Sequence, residues 1–298
     1  MQKLAIIGGG SAGYSAAIRA RQLGFQVTLI EKDKLGGTCL NRGCIPTKTL
    51  LHSSDLFYQI KNLDEIKASD LSFDIEKLFE KKNAVVERLN QGIFMLTKSN
   101  EIEYINGEAR LISSNSIELD GRQKISADKI ILATGSKPAK IPVIGIEHAL
   151  TSDDVLAKRF EKFQNIVIIG GGVVGIELAS FFSDLGSNVT IIELLDRILS
   201  PLSMDISKYL SMILRKKGVK FELSSTVHRI QKTEEGFKTV YEKRQTQHSI
   251  FSDMVINAAG RMPVGIEGLE NTKAVFDKGF VTDENSLTAD ENIYAVGD

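Results

Sequence analysis

The chain contains one segment twice. Residues 6–31 read IIGGGSAGYSAAIRARQLGFQVTLIE and residues 168–193 read IIGGGVVGIELASFFSDLGSNVTIIE, with 13 identities in 26 positions at a constant offset of 162 and no gap. Each copy runs from an apolar stretch through G-x-G-x-x-G into a helical stretch closed by Leu-Gly. A β-branched run follows and ends in a glutamate. That order of periodicities and breakers predicts a β-α-β unit. Two copies so far apart predict two related domains, since a solenoid needs three or more short repeats. A length of 298 residues agrees, at about two domains.

The glycines have separate tasks. Gly8 and Gly170 allow the tight turn at the end of the first strand. Gly10 and Gly172 let backbone approach a pyrophosphate, and Gly13 and Gly175 let helix pack closely on strand. Phosphates then rest on the helix N-terminus, where unpaired N–H groups and the helix dipole favour anions. Glu31 and Glu193 each lie 18 residues past the third glycine, where an acid hydrogen-bonds ribose hydroxyls. Either two dinucleotides bind, or one binds and the other copy is vestigial. Beside Glu193 lie a second acid, Asp196, and a single base, Arg197. A 2′-phosphate would meet repulsion there, so the balance favours NAD over NADP.

Hydrophobic residues make up 42% and charged residues 25%, which excludes a disordered, collagenous or disulfide-stapled chain. A net charge of −1 points to neither a nucleic-acid nor a membrane partner. No apolar run reaches the ~18 residues that cross a bilayer. Met1 leads straight into KLAIIGGG, too short an apolar stretch for a signal peptide, so the expected location is cytoplasmic.

Only two cysteines occur, Cys39 and Cys44, within GGTCLNRGCIPTK at 36–48. In an ideal helix, positions i and i+5 differ by ~7.5 Å of rise and ~140° of rotation. A bridge between them therefore needs a distorted turn, for which Gly43 and Pro46 are the expected breakers. A cycled disulfide and two adjacent buried thiols both remain open at this point.

GGTCLNRGCIPTK resembles the redox-active disulfide signature of the pyridine nucleotide–disulfide oxidoreductases of the glutathione reductase type, and most of all their dihydrolipoamide dehydrogenase branch. IILATGSKPAKIPVIGIE (130–147) resembles the segment where such a chain leaves the flavin domain, and VINAAGRMP (255–263) the return from the NAD domain. NIYAVGD (292–298) resembles the segment whose aspartate binds the flavin ribityl chain.

The resemblance implies an α/β fold of two Rossmann-like, three-layer domains, the NAD domain inserted into the FAD domain. Boundaries are expected at 1–140 and 264–298 for the FAD domain and 141–263 for the NAD domain. It implies Cys39 as the interchange thiol and Cys44 as the thiol against the flavin. Lys48 would lie near the flavin, with Glu177 as its ion-pair partner. Gly8, Gly10, Gly13, Glu31, Lys32, Gly37, Thr38, Lys48, Gly107, Ala109, Thr134, Gly135 and Asp298 would hold FAD. Gly170, Gly172, Val173, Val174, Gly175, Glu193, Val227, Ala259 and Gly260 would hold NAD. No metal is implied, and Arg42 is expected as a solvated charge.

The implied reaction is NAD-dependent oxidation of a lipoyl dithiol through the disulfide and FAD. The implied partner is a lipoyl-bearing protein or a small disulfide. Alternatives are another disulfide reductase of this fold, or a non-catalytic flavin- and NAD-binding fragment. Full-length members carry a C-terminal interface domain that forms the homodimer and supplies a catalytic histidine. This sequence stops at Asp298, and its histidines (His52, His148, His228 and His248) are expected at the surface or satisfied. For this chain alone a monomer is left open, and NADH-to-acceptor capacity without efficient lipoamide turnover is expected.

The remainder reads as scaffold. Residues 53–100 show helical spacing, for instance at Leu78, Phe79, Val85, Val86 and Leu89, and predict a long helical excursion packed on the flavin sheet. Residues 101–128 alternate as strands around an Asp120-Gly121 turn, and 219–257 as strands around TEEGFKT.

Overall fold

A computed structural model describes residues 1–63, 65, 71–157 and 163–298. Among them lie seven α-helices: α1 (Ser11–Gln22), α2 (Gly37–Arg42), α3 (Cys44–Lys61), α4 (Ile75–Ser99), α5 (Ser152–Ala157), α6 (Val173–Asp184) and α7 (Met204–Lys216). No helix is long and apolar enough to cross a membrane among the described residues. The chain divides into two compact units. The first comprises Met1–Ile45, Ala84–Lys137 and Arg261–Asp298, and the second Pro46–Asn83 and Pro138–Gly260.

The first unit is built on a parallel sheet ordered Ile293–Ala295, Lys129–Leu132, Lys3–Ile7, Gln26–Glu31, Glu103–Asn106. Lys3 is exposed and the next four residues, Leu4 to Ile7, are all buried because both faces of such a strand are covered, which explains a continuous apolar run rather than an alternating one. The chain moves to one side of that central strand first and to the other later. The crevice beyond its C-terminal end is therefore a topological switch point. A three-stranded antiparallel sheet, Ala109–Ser113, Ser116–Leu119 and Gln123–Ser126, accounts for the alternation read at 101–128. Asp120 and Gly121 turn it with φ of 47° and 68°.

The second unit repeats the plan with the order Lys220–Glu222, Asn188–Ile192, Asn165–Ile169, Met254–Asn257, Leu150–Thr151, again parallel. Ser225–Thr233, Gly236–Lys243 and Thr246–Ser252 add an antiparallel sheet. The fold is thus α/β, with two Rossmann-like sheets.

Two expectations need correction. Pro46 breaks nothing: it is the third residue of α3, where its missing N–H would have had no intrahelical partner anyway. The helical excursion at 53–100 does not pack on the first sheet throughout. Leu50, Leu78 and Phe79 are buried in the core of the second unit with Phe181, Phe182 and Leu178, which draws Pro46–Asn83 into that unit. Only the later part of α4, through Val86 and Ile93, packs in the core of the first. Residues 64 and 66–70 of the excursion fall outside the described residues.

Candidate active site

In the first unit the expected cofactor residues gather where parallel strands end. Gly8 follows Lys3–Ile7, Glu31 ends Gln26–Glu31, Gly107 follows Glu103–Asn106, Thr134 and Gly135 follow Lys129–Leu132, and Asp298 follows Ile293–Ala295. Five separate stretches of sequence thus meet at one edge of one sheet.

The loop between the first strand and α1 admits no larger residue. A Cβ on Gly8 would lie 2.0 Å from the Ala133 carbonyl oxygen, and one on Gly13 1.8 Å from that of Gly8. A Cβ on Gly37 would lie 2.5 Å from the Gly10 Cα, so the loops at 10 and 37 meet backbone to backbone. Glu31 accepts from the Gly9 N–H at 2.7 Å and the Asp33 N–H at 2.8 Å. Thr134 donates to the Val264 carbonyl at 2.5 Å, and Asp298 accepts from the Ser136 hydroxyl at 2.6 Å. Lys32 pairs with Glu108 at 2.9 Å on the surface, and Ala109 packs against the core beneath the sheet.

The second unit carries the same construction and a cavity of about 660 Å³ at it. Gly170, Gly172, Val173, Val174, Glu193, Val227, Ala259 and Gly260 all line that cavity. Gly175 lies beneath, its Cβ position 2.0 Å from the Gly170 carbonyl oxygen. Glu193 accepts from the Gly171 N–H and, at 2.8 Å, from the Leu195 N–H. Sequence reasoning missed Ile141–Val143, Leu199–Pro201 and His228 in the lining. The antiparallel register shifts between Val227 and Arg229, and this bulge accompanies the arrival of His228 at the cavity. His228 also lies 3.6 Å from Glu242.

Both glycine loops fit a dinucleotide. Gly10 and Gly172 immediately precede α1 and α6, which have no side-chain cap among the described residues and no acid in the first turn. Their leading N–H groups are left to donate to an anion. A Cβ on Gly172 would meet nothing within 4 Å, so the protein leaves the space beside this loop open. α7, by contrast, closes its own N-terminus with Ser203.

The cysteines flank a helix break. α2 ends at Arg42, Gly43 adopts φ −146° and ψ −112°, and α3 starts at Cys44. A Cβ on Gly43 would lie 2.9 Å from the Thr38 carbonyl oxygen and 3.2 Å from the Cys39 Cα, so this breaker acts by close approach. Cys39 is half-buried and Cys44 exposed. Arg42 is not merely solvated, since it pairs with Asp33.

In the second unit Lys48 of α3 meets Glu177 of α6, Nζ to Oε1 2.6 Å. Six residues further along α3, Ser54 donates to Asp184 of α6 at 3.2 Å. The two pairs are separated by 129 and 130 residues, so α3 and α6 run side by side in one direction and nearly in register. Among the described residues no group of three or more His, Cys, Asp or Glu could hold a metal.

Comparison with known proteins agrees with this architecture. A dihydrolipoyl dehydrogenase of Bacillus subtilis is 39% identical over 307 residues, covering 99% of this chain and 66% of that protein. One from Acholeplasma laidlawii is 34% identical over 307 residues, covering 99% of this chain and 89% of the relative. The HOCl-induced flavoprotein disulfide reductase RclA from Escherichia coli superposes with a TM-score of 0.86 at 31% identity, over 100% of this chain and 66% of RclA. The chain thus spans 66% of the length of the Bacillus relatives. FAD and NAD(H) are the cofactors of such dehydrogenases. The profile of one family, pyridine nucleotide-disulphide oxidoreductase, matches residues 2–298. With two glycine loops of one design and a pair of cysteines at a helix break between them in sequence, the chain belongs to the pyridine nucleotide-disulphide oxidoreductase family.

Proposed function

We propose that the first unit binds FAD, that the second binds NAD(H), and that Cys39 and Cys44 cycle between dithiol and disulfide. The activity is two-electron transfer between NAD(H) and a dithiol–disulfide substrate, a lipoyl group on a carrier protein in the first instance. The observation that carries this reading is the helix break at Gly43, which brings the Cys39 backbone against the start of the next helix. When bound, FAD supplies a two-electron relay between a dithiol and a nicotinamide.

The residues of the chain account for the exchange steps. A substrate thiolate attacks Cys39 Sγ of the disulfide, the S–S bond breaks, and Cys44 leaves as thiolate with the electron pair. The second substrate thiolate attacks the substrate sulfur of the mixed disulfide and expels Cys39 as thiolate. Substrate leaves as disulfide and the protein holds a dithiol, two electrons having moved. Lys48, one turn beyond Cys44 on α3, adds a cation on that helix face, and Glu177 holds its ammonium. The order of the two cysteines follows the family resemblance. In a reductive titration of the FAD-loaded chain under anaerobic conditions, the wild type is expected to take up about two two-electron equivalents per flavin, against about one for Cys39→Ser or Cys44→Ser. Equal uptake by all three would sink the redox role of the pair.

The nucleotide of the second unit is NAD(H) on this reading, because the Glu193 carboxylate lies in the cavity lining and would repel a 2′-phosphate. Preference for NADH over NADPH in kcat/KM is expected to fall by about 10–100-fold in Glu193→Gln. A wild-type preference for NADPH would overturn the assignment. A second reading, reduction of a non-lipoyl disulfide, is favoured by the likeness to a flavoprotein disulfide reductase. Comparing dihydrolipoamide with other dithiols as electron donors decides between them.

A further inference from the structure

Arg261 is the first residue of the last segment of the first unit, directly after Gly260. Its half-buried side chain is occupied by that unit. Nε donates to the Ser136 hydroxyl at 2.9 Å, and Nη2 to the Ser136 carbonyl at 2.7 Å and the Thr38 hydroxyl at 3.4 Å. Ser136 in turn donates to Asp298 Oδ2 at 2.6 Å.

The polarity of this chain of bonds is fixed by chemistry. A guanidinium has only donors, so both hydroxyls must accept from it. Ser136 has one hydroxyl proton, and with Arg261 at its lone pair that proton goes to Asp298. Asp298 Oδ2 therefore accepts the Ser136 proton, in a bond strengthened by the cation one step behind. Thr38, accepting from Arg261, keeps its own proton for another acceptor.

We infer that Arg261 is a positioning residue for FAD, acting through Ser136 to aim the Asp298 carboxylate and through Thr38 to aim the hydroxyl beside Cys39. This rests on the reading of the first unit as the flavin site. Residues 38, 136 and 298 come from three distant segments, and nothing in their local sequence relates them. One planar donor with two edges relates all three. Lysine, a single point charge, cannot hold the Ser136 hydroxyl and carbonyl together in that geometry.

The test is a cycle of Arg261→Met, Ser136→Ala and the double variant, measured as the Kd for FAD by flavin fluorescence and as the Tm of apoprotein. Arg261→Met is expected to raise the Kd about 10–100-fold, with Arg261→Lys intermediate. The double variant is expected to exceed the weaker-binding single variant by less than about 3-fold, because both break one relay. Effects that simply multiply would overturn the inference, as would a lowered Tm with an unaltered Kd. Should Arg261→Met not fold, Ser136→Ala must still weaken FAD at unchanged Tm, and normal FAD binding by it refutes the relay. A wild-type chain that takes up no FAD would refute the flavin reading itself and this inference with it, an outcome distinct from normal FAD uptake by every variant.

Discussion

Lys217→Met is expected to cost about 3–5 kcal/mol of unfolding free energy in urea, the usual cost of removing one partner of a buried ion pair. Lys217 Nζ lies 2.6 Å from Asp184 Oδ1, with side chains 13% and 0% exposed. Asp55 Oδ1 lies 3.3 Å away and the Tyr58 ring centroid 4.6 Å. Ser54, Asp55 and Tyr58 of α3 thus converge on Asp184 of α6 and on Lys217, the residue that follows α7. Methionine keeps much of the packing but strands the carboxylate. Replacing both partners, as Asp184→Leu with Lys217→Met, is expected to restore most of the loss, since apolar groups of similar volume replace buried pairs at little cost. The Lys48–Glu177 pair at the other end of the same helices is 58% and 24% exposed, so Glu177→Gln is expected to change stability by less than about 1 kcal/mol.

The pH dependence of that loss has a definite sign. Burial raises the Asp184 carboxyl above its ordinary 3.8, against the opposing pull of Lys217 and Ser54. Burial works to lower the Lys217 ammonium, but Asp184 and Asp55 together outweigh it and hold it above 10.5. A group raised on folding contributes stability that is present below its unfolded pKa and lost as pH rises through the folded one. For Lys217 that loss falls in the alkaline range above 10.5. For Asp184 it begins above 3.8, and without the lysine the carboxyl moves further up. Lys217→Met should therefore be less damaging at pH 5 than at pH 8, and the reverse order would refute the burial argument.

What could be read from the sequence was whatever the chain encodes over a few neighbouring residues. The loop from Gly8 to Gly13 and its copy at 170–175 were legible because tight turn, anion cradle and close packing all fall within six positions. Gly43 was legible as a breaker for the same reason. Pro46 carries no break because proline ends a helix only beyond its first turn, and Pro46 lies within that turn. The spacing of Leu78 and Phe79 identified a buried helix face but carried no information on which sheet would cover it. Asp184 and Lys217 are 33 residues apart and Arg261 and Thr38 are 223 apart, so neither cluster leaves a local pattern. His228 reaches the cavity where the strand register shifts, and period-two alternation cannot register such a shift.

Gly175→Ala and Gly13→Ala are expected to fail for the same reason yet lose different ligands. A Cβ on Gly175 would stand 2.0 Å from the Gly170 carbonyl oxygen, and one on Gly13 1.8 Å from that of Gly8. Backbone cannot swing aside as a side-chain tip can, so each helix must back away from its strand. Overpacking of this kind costs about 1–3 kcal/mol or more. The shift also takes the helix N-terminus out of phosphate reach, where a displacement of about 1 Å can cost about 10²-fold. Gly92 of α4 is the control: exposed, in mid-helix, with nothing within 4 Å of a Cβ. There alanine relieves backbone entropy, and Gly92→Ala is expected to gain about 0.5–1 kcal/mol. If each loop serves its own dinucleotide, Gly13→Ala weakens FAD and spares NADH, and Gly175→Ala does the opposite. Loss of both ligands from either change alone would mean that the two loops do not act as separate sites. Normal binding of both by Gly175→Ala would make the second loop a vestige of duplication, and the NAD reading of its cavity would fall with it.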